Sequence, residues 1–215
     1  MLRAAAAAAL LAGASAGCAP FLPTLGGITE ATDLYLLTPK STFPEGLPRI
    51  PHQLIVETPT ATAGVNSDRI AVQPNPLALQ FLPGARWVDR APLMVQTLLV
   101  ESFENSNTFG AVGRSAVGLR ADYLLVSELR EFHARVRQDD PTGPLEAHVR
   151  LNVKIVDAFA DRIVASESFE RMRVAEGEEV LAVIAAFDDA LGATMREAVV
   201  WTAARIAEQG PPRRF

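Results

Sequence analysis

Cysteine is nearly absent from the sequence, which holds one, Cys18, in 215 residues. A single thiol excludes a disulfide within the chain, so the fold must depend on its hydrophobic core. Histidine is also scarce: His52, His133 and His148 form no His-x-x-x-His pair and have no flanking carboxylates at metal-ligand spacing. We therefore predict no metal site, and we interpret the three histidines as solvated side chains.

The usual patterns of catalytic residues are missing too. There is no Gly-x-Ser-x-Gly nucleophile elbow, and the glycine-rich stretch at residues 110–118 lacks the lysine of a phosphate-binding loop and has no strand leading directly into it. Asp139 and Asp140 fall in a turn, where Asp side chains bind their own backbone. We predict that the protein is not an enzyme and needs no cofactor, and that residues 110–118 form a flexible link.

Neither charge nor hydropathy favours a nucleic-acid ligand or a spanning helix. The formal net charge is -5, and the basic residues are scattered along the chain. Phosphate binding needs clustered Lys and Arg, so we predict no nucleic-acid partner. Beyond residue 17 no apolar run approaches the roughly 18 residues of a membrane span, and the length suits one domain.

Residues 1–17 form an alanine-rich leader with a single basic residue, Arg3. An apolar run over residues 4–14 follows, and three small residues precede Cys18. This order is typical of a secretory signal peptide. The run is shorter than the roughly 20 residues that cross a hydrocarbon core, so we predict a cleaved leader and not a spanning helix. Its removal leaves 198 residues with a formal charge of -6, because Arg3 is lost.

The four residues that end at Cys18, Ser-Ala-Gly-Cys, resemble the lipobox at which bacterial signal peptidase II cleaves before a lipidated cysteine. The lipobox prefers Leu where this chain has Ser15, so ordinary cleavage after Gly17 or Ala19 is an open alternative. We predict lipidation of Cys18, with acyl chains that contribute about 0.8 kcal/mol of membrane affinity per CH₂. By the same resemblance, Ala19 in place of Asp after the cysteine implies export to the outer membrane, with the protein facing the periplasm.

Residues 18–31 are rich in Pro, Gly and Thr without hydrophobic periodicity, and we interpret them as a flexible, lipidated tether. A single folded domain is predicted over residues 32–208, with residues 209–215 as a C-terminal tail. Prolines and turn residues divide the first part of the domain into short strands. These strands are predicted at residues 34–38, 53–58, 69–72 and 77–81.

The second part of the domain has stronger periodicity. A first helix is predicted from an N-cap at Asp89, with Pro92 in its first turn, to Glu104. Three strands with short connections then predict an antiparallel meander, and a last helix has an apolar stripe at steps of three or four residues. These elements are predicted at residues 121–136, 147–156, 162–174 and 178–208. We expect an α+β fold, in which an antiparallel sheet has two main helices packed on one face.

Trp87 and Trp201 each lie near the end of a predicted helix. The interpretation that we favour is packing in the core with the indole N–H bonded at its rim. A contact with a ligand or a partner protein is the alternative, and it makes these two residues weak candidates for a binding site.

Several short motifs follow one another in a characteristic order along the chain. They are Cys18 behind its leader, Tyr35-Leu36-Leu37, the strand residues 55–59, Ser67-Asp68-Arg69-Ile70, Trp87 with Asp89 and Pro92, Asp122-Tyr123-Leu124, Phe132, Asp157 at a strand end, and Phe187, Ala190, Leu191 and Trp201 in the last helix. In this order the motifs resemble the ABC-type transport auxiliary lipoproteins, which accompany MCE-domain lipid transport systems of Gram-negative envelopes. The resemblance covers nearly all of the chain after the leader.

The resemblance implies a lipid-anchored outer-membrane protein without catalysis of its own, which receives or relays phospholipid. Its implied partners are a periplasmic MCE-domain protein, the ABC transporter complex indirectly, the membrane through the acyl anchor, and phospholipid as a candidate ligand. A homo-oligomer would also fit. A second hypothesis, from a different class, is an outer-membrane lipoprotein that activates a peptidoglycan synthase, since small α+β lipoproteins also do that.

Overall fold

A computed structural model describes residues 32–115 and 120–209 of the protein. They form the strands β1 (Asp33–Tyr35), β2 (Ile50–Val56), β3 (Thr60–Ala61), β4 (Arg69–Asn75), β5 (Ala78–Trp87), β6 (Phe109–Arg114), β7 (Tyr123–Arg135), β8 (Glu146–Asp157) and β9 (Arg162–Val174), and the helices α1 (Ala91–Asn105) and α2 (Val180–Gln209). The predicted leader, the tether with Cys18 and residues 210–215 lie outside the described residues, so the predictions for them stay predictions.

The sheet is built around the long strand β7. On one side β8 pairs with β7 and β9 pairs with β8, both antiparallel, which confirms the predicted meander. On the other side β2, β3 and β4 lie one after another along β7, and all three are parallel to it. β5 and then β1 extend the sheet beyond β4, and β6 extends it beyond β2.

The α+β fold with two main helices is confirmed, but the expectation of an antiparallel sheet needs correction, since the sheet is mixed. Among the described strands, the antiparallel pairs are β4 with β5 and those of the meander. Parallel strands need a long crossover connection, and the chain between β2 and β7 contains α1, which provides one. Short predicted connections favour antiparallel neighbours and do not reveal this return of the chain.

The predicted alternation in β8 places five fully buried apolar side chains on one face of the sheet, namely Ala147, Val149, Leu151, Val153 and Ile155. Both helices contribute to the core that covers this face. Their largest contributions are Val95, Leu99 and Phe103 from α1 and Phe187, Leu191 and Met195 from α2. Neither described helix has the length and apolar character that crossing a bilayer requires.

The start of α1 differs from the prediction of an N-cap at Asp89. The N-cap residue is Arg90, and no side chain caps the helix; Asp89 Oδ1 accepts the backbone N–H of Arg90 at 2.7 Å instead. The first-turn amide of Ala91 donates to the backbone carbonyl of Ser67 at 3.0 Å. A neighbouring segment therefore satisfies the helix end that a capping side chain was expected to satisfy.

The prediction of a flexible link at residues 110–118 is wrong over its first half, where β6 pairs in parallel with β2. A side chain at Gly110 would come within 3.3 Å of the Pro51 backbone, so glycine lets the two strands approach closely. Phe109 packs its ring against Phe103 of α1, with ring centroids 5.7 Å apart. Glycine here serves close strand packing and not flexibility.

Candidate functional site

The two tryptophans that are weak binding candidates occupy different environments. Trp87 ends β5 with 1% of its surface exposed, and it contacts the rings of Phe132 at 5.5 Å and Phe187 at 5.2 Å. Trp201, on α2, is half-buried and contacts the ring of Phe169 at 5.7 Å. Trp87 therefore belongs to the core, as the packing interpretation predicts, and it has no surface to offer a ligand.

The histidines are not the solvated side chains that we expected. His133 on β7 and His148 on β8 stand directly opposite each other in the strand register, on the face turned away from the helices. Their rings meet edge to face with centroids 5.2 Å apart, and the residues are 4% and 8% exposed. His52 lies in β2, with Nδ1 3.7 Å from Asp122 Oδ2.

A carboxylate joins the pair of histidines. Glu131, two residues before His133 on the same face of β7, brings Oε2 to 3.4 Å from His133 Nδ1. One ligand atom from each of Glu131, His133 and His148 lies within 4.8 Å of the other two. On the next strand Glu170 holds His148 through a contact of 2.6 Å between Oε1 and Nε2. We call Glu131, His133, His148 and Glu170 the histidine cluster.

His133 differs electrostatically from an ordinary surface histidine. The pKa of His133 is lowered to about 4, mainly by burial and also by repulsion from His148 and Arg135. Nε2 of His133 is buried without a hydrogen-bond partner among the described residues. The ring is therefore neutral at neutral pH, and it carries a buried polar atom that the protein leaves unsatisfied.

Sequence reasoning missed this cluster, because it looked for ligands close together in the chain. The available signal is positional: His133 comes five residues before the predicted turn at residues 138–144 and His148 four residues after it. In an antiparallel pair, residues at similar distances from the turn lie opposite each other. The glutamates follow from the same strand geometry, since residues two apart share a face of the sheet.

A groove of about 910 Å³ opens at the end of the sheet next to the β4-β5 hairpin. Its walls are Gln73, Pro74, Asn75 and Pro76 of the hairpin, the segment from Arg135 to Asp139, and Pro141, Glu146 and Val174. Arg135 and Glu146 form an ion pair of 2.6 Å there, and Leu77 at the hairpin tip is 98% exposed. The groove is thus partly charged and bordered by one protruding apolar side chain.

Exposed apolar side chains also lie where the chain enters the domain. Leu34 and Leu36 are 63% and 65% exposed, while Tyr35 between them packs against the core. Val88 is 54% exposed, and its backbone N–H donates to the Tyr35 carbonyl at 2.8 Å, which places it beside Leu36. We call Leu34, Leu36 and Val88 the entry surface.

A mixed-sheet α+β domain, in a chain whose one cysteine follows an alanine-rich N-terminal segment, fits the class of lipid-anchored envelope proteins. The chain belongs to the ABC-type transport auxiliary lipoprotein family, whose model matches residues 35–199. This confirms the resemblance inferred from the sequence motifs.

Three relatives illustrate the likeness. An uncharacterised protein of Bradyrhizobium diazoefficiens is 33% identical over 152 residues, which make up 69% of this chain and 39% of that protein, so the chain spans well under half of its length. A crystal structure of a protein from Xanthomonas campestris superposes with a TM-score of 0.76 and 32% identity, covering 82% of this chain and 98% of that one. Another uncharacterised protein of known structure, with a TM-score of 0.55 and 14% identity over 84% of this chain and 99% of its own, shares the fold alone.

Proposed function

We propose that the protein is a non-catalytic, lipid-anchored component of an MCE-type phospholipid transport system, held at the periplasmic face of the outer membrane through Cys18. The observation that carries the proposal is the family match over residues 35–199, which runs from β1 into α2. Its partners would be an MCE-domain periplasmic protein and, through it, the ABC transporter complex. Phospholipid and further copies of the chain are candidate contacts as well.

The packing of the domain indicates how such a component would work. Trp87, Phe132 and Phe187 contact one another with ring centroids 5.1 to 5.5 Å apart, so side chains fill the space between sheet and helices. A filled core leaves the outer surface for contacts with lipid or a partner. The folded domain would thus act by docking to a partner or to lipid through its surface.

The entry surface is the part of the domain that we assign to docking near the membrane. Residues 18–32 can span at most about 50 Å when fully extended, so a lipidated Cys18 would keep the start of the domain within about that distance of the bilayer. Three exposed apolar side chains in such a position are suited to a partner that lies on the same membrane. The anchor and the entry surface would then work together, because the tether raises the local concentration of the partner.

The anchor is tested by intact mass and membrane fractionation in the native host. We expect mature protein that begins at residue 18 with about three acyl chains, and loss of membrane association in Cys18→Ala. Ser15→Leu, which restores the preferred lipobox residue, is the matched control and should be processed at least as efficiently as the natural chain. A Cys18→Ala variant that stays wholly in the membrane fraction and remains functional would contradict the proposal.

The partner is tested by photo-crosslinking in the intact envelope. A photoreactive residue in place of Leu36 should capture an MCE-domain protein, whereas the same residue at Ser168 of β9, at the opposite edge of the sheet, should not. Deletion of the gene should disturb outer-membrane lipid asymmetry. Failure to capture an MCE-domain protein together with intact asymmetry would overturn the proposal, and stimulation of a purified peptidoglycan synthase by the protein would favour the second hypothesis.

A further inference from the structure

The histidine cluster contains donor atoms suited to a metal site, on the face of the sheet turned away from the helices. The three-stranded meander arranges this face in rows, with His133 opposite His148 and His148 opposite Met172. In the preceding row Glu131 stands opposite Arg150 and Arg150 opposite Glu170. Both histidines are therefore fixed by strand pairing and not by a mobile loop.

The donor atoms are near one another. Ligand atoms of Glu131, His133 and His148 lie within 4.8 Å of one another, whereas ligands around a tetrahedral zinc ion with bonds of about 2 Å lie roughly 3.3 Å apart. To bind an ion, the side chains would have to bring these atoms closer by up to about 1.5 Å. Strand β7 supplies two of the donors and β8 the third, so two paired strands hold all three residues.

His133 provides the independent sign of a missing ligand. The residue is 4% exposed, and its Nε2 atom is buried without a hydrogen-bond partner within the described part of the chain. An unsatisfied buried polar atom costs about 1–3 kcal/mol. Most buried polar atoms in native proteins have a partner, so an unpaired imidazole nitrogen beside a second imidazole and a carboxylate indicates a ligand.

Glu170 gives His148 the support that metal-binding histidines usually have. Its Oε1 atom lies 2.6 Å from His148 Nε2, so Nδ1 would be the atom of His148 that binds the metal. A carboxylate on the outer nitrogen fixes the orientation of the ring and makes the other nitrogen a better ligand. In the metal site Glu170 is therefore a positioning residue.

The charges around the cluster favour a cation. Glu131 and Glu170 contribute two negative charges against the single positive charge of Arg150 in the same row. The nearby Arg135 is paired with Glu146 at 2.6 Å, so its charge is largely compensated. Two imidazoles and a carboxylate select a first-row divalent metal over Mg²⁺ or Ca²⁺, which prefer oxygen ligands alone.

We propose that Glu131, His133 and His148 bind a divalent transition metal ion of the zinc class, with Glu170 orienting His148. A three-residue donor set leaves a fourth coordination position open to water or to a group from a partner molecule. The bound ion would cross-link β7 and β8 on the face opposite the helices.

The test uses the complete mature protein, purified in detergent, stripped with a chelator and titrated with Zn²⁺ by calorimetry. We expect one ion per chain, a raised melting temperature, and no comparable binding of Mg²⁺. Glu131→Gln and His148→Gln should each weaken Zn²⁺ binding at least tenfold. His52→Gln, which changes the histidine outside the cluster, is the matched control and should bind as the natural protein does.

Two further measurements keep the test decisive if a variant folds poorly. Glu131 is partly exposed, so Glu131→Gln should keep the melting temperature of the metal-free protein while it loses affinity. Glu170→Gln should weaken binding about tenfold without changing the metal-free melting temperature, whereas a merely structural role would change the melting temperature alone. Zn²⁺ binding that is absent in the natural protein, or unchanged in both Glu131→Gln and His148→Gln, overturns the proposal.

Discussion

Asp188 of α2 binds Thr38, which lies 150 residues earlier in the chain, through both the backbone and the side chain of the threonine. Oδ1 of Asp188 accepts the Thr38 N–H at 2.6 Å, and the Thr38 hydroxyl lies 3.0 and 2.9 Å from the two carboxylate oxygens. The neighbouring Leu37 is 4% exposed. The segment around Thr38, near the start of the described domain, is thus fixed to the last helix.

Replacing Asp188 by Ala should lower the free energy of unfolding by about 1 kcal/mol, because the Thr38 amide and hydroxyl lose a charged acceptor at a solvent-exposed site. Urea unfolding followed by tryptophan fluorescence measures the change. Asp189→Ala is the adjacent control: Asp189 pairs with Arg173 on the exposed surface and should cost roughly half as much or less. Equal losses in the two variants would contradict a special role for the contact with Thr38.

Gln96 provides a second long-range link, between α1 and the end of β2. Its amide Nε2 donates to the Val56 carbonyl at 2.9 Å, and its Oε1 accepts the Thr58 hydroxyl at 3.0 Å, while the residue is 7% exposed. Gln96→Leu keeps much of the volume but removes the donor to the carbonyl of the buried Val56, whereas the exposed Thr58 can bond water instead. We therefore expect a loss of about 1–3 kcal/mol in chemical unfolding. Thr58→Val removes one of the two hydrogen bonds and should lower the free energy of unfolding by less. A larger loss in Thr58→Val than in Gln96→Leu would contradict the role that we give to Gln96.

Trp87 should carry a large share of core stability. Trp87→Ala leaves a cavity between Phe132 and Phe187 and should lower the free energy of unfolding by about 3–5 kcal/mol. Trp201→Phe keeps a ring on the half-buried surface of α2 and should cost under about 1.5 kcal/mol. Circular dichroism in urea measures both variants independently of the indole signal. Comparable losses at the two positions would place Trp87 outside the core that we describe.

The same interactions show which parts of the structure the sequence could predict. Local periodicity located the meander and α2 closely: the strand predicted at residues 162–174 matches β9, and the alternation in β8 identified its buried face. Parallel pairing of β2, β3 and β4 with β7 was missed, because pairing between distant segments leaves no local pattern. The N-cap at Asp89 failed for a related reason, since Ser67 satisfies the helix amide from another part of the chain.

The histidine cluster could not be predicted for the same reason, since it forms only when separate strands pair. His133 and His148 look like isolated polar residues in the sequence, and they become neighbours only through the register of β7 and β8. That register contains an irregularity between Leu129 and Glu131, which shifts the pairing by one residue. This irregularity lies beyond the histidines as counted from the turn, so it leaves their pairing unchanged. The unequal distances of the two histidines from the predicted turn bring them near each other without fixing them directly opposite.

The pKa of His133 gives a stability prediction with a definite sign. In the folded protein burial lowers this pKa to about 4, whereas an unfolded histidine has a pKa near 6.5. Between these values the unfolded state binds more protons than the folded state, so stability falls as pH falls. The contribution of His133 is fully present above about pH 6.5 and is lost progressively toward pH 4, with a maximum slope of about 1.4 kcal/mol per pH unit.

The measurement is urea unfolding from pH 7 to pH 4 in excess chelator, so that metal binding does not contribute. The natural protein should lose about 3 kcal/mol over this range from His133 alone, and His133→Gln, which cannot take up a proton, should lose that much less. His52→Gln is the matched control, because it removes a histidine that lies outside the cluster, and it should keep the full decline. A decline of the same size in His133→Gln and in the natural protein would show that the buried imidazole is not the group that titrates.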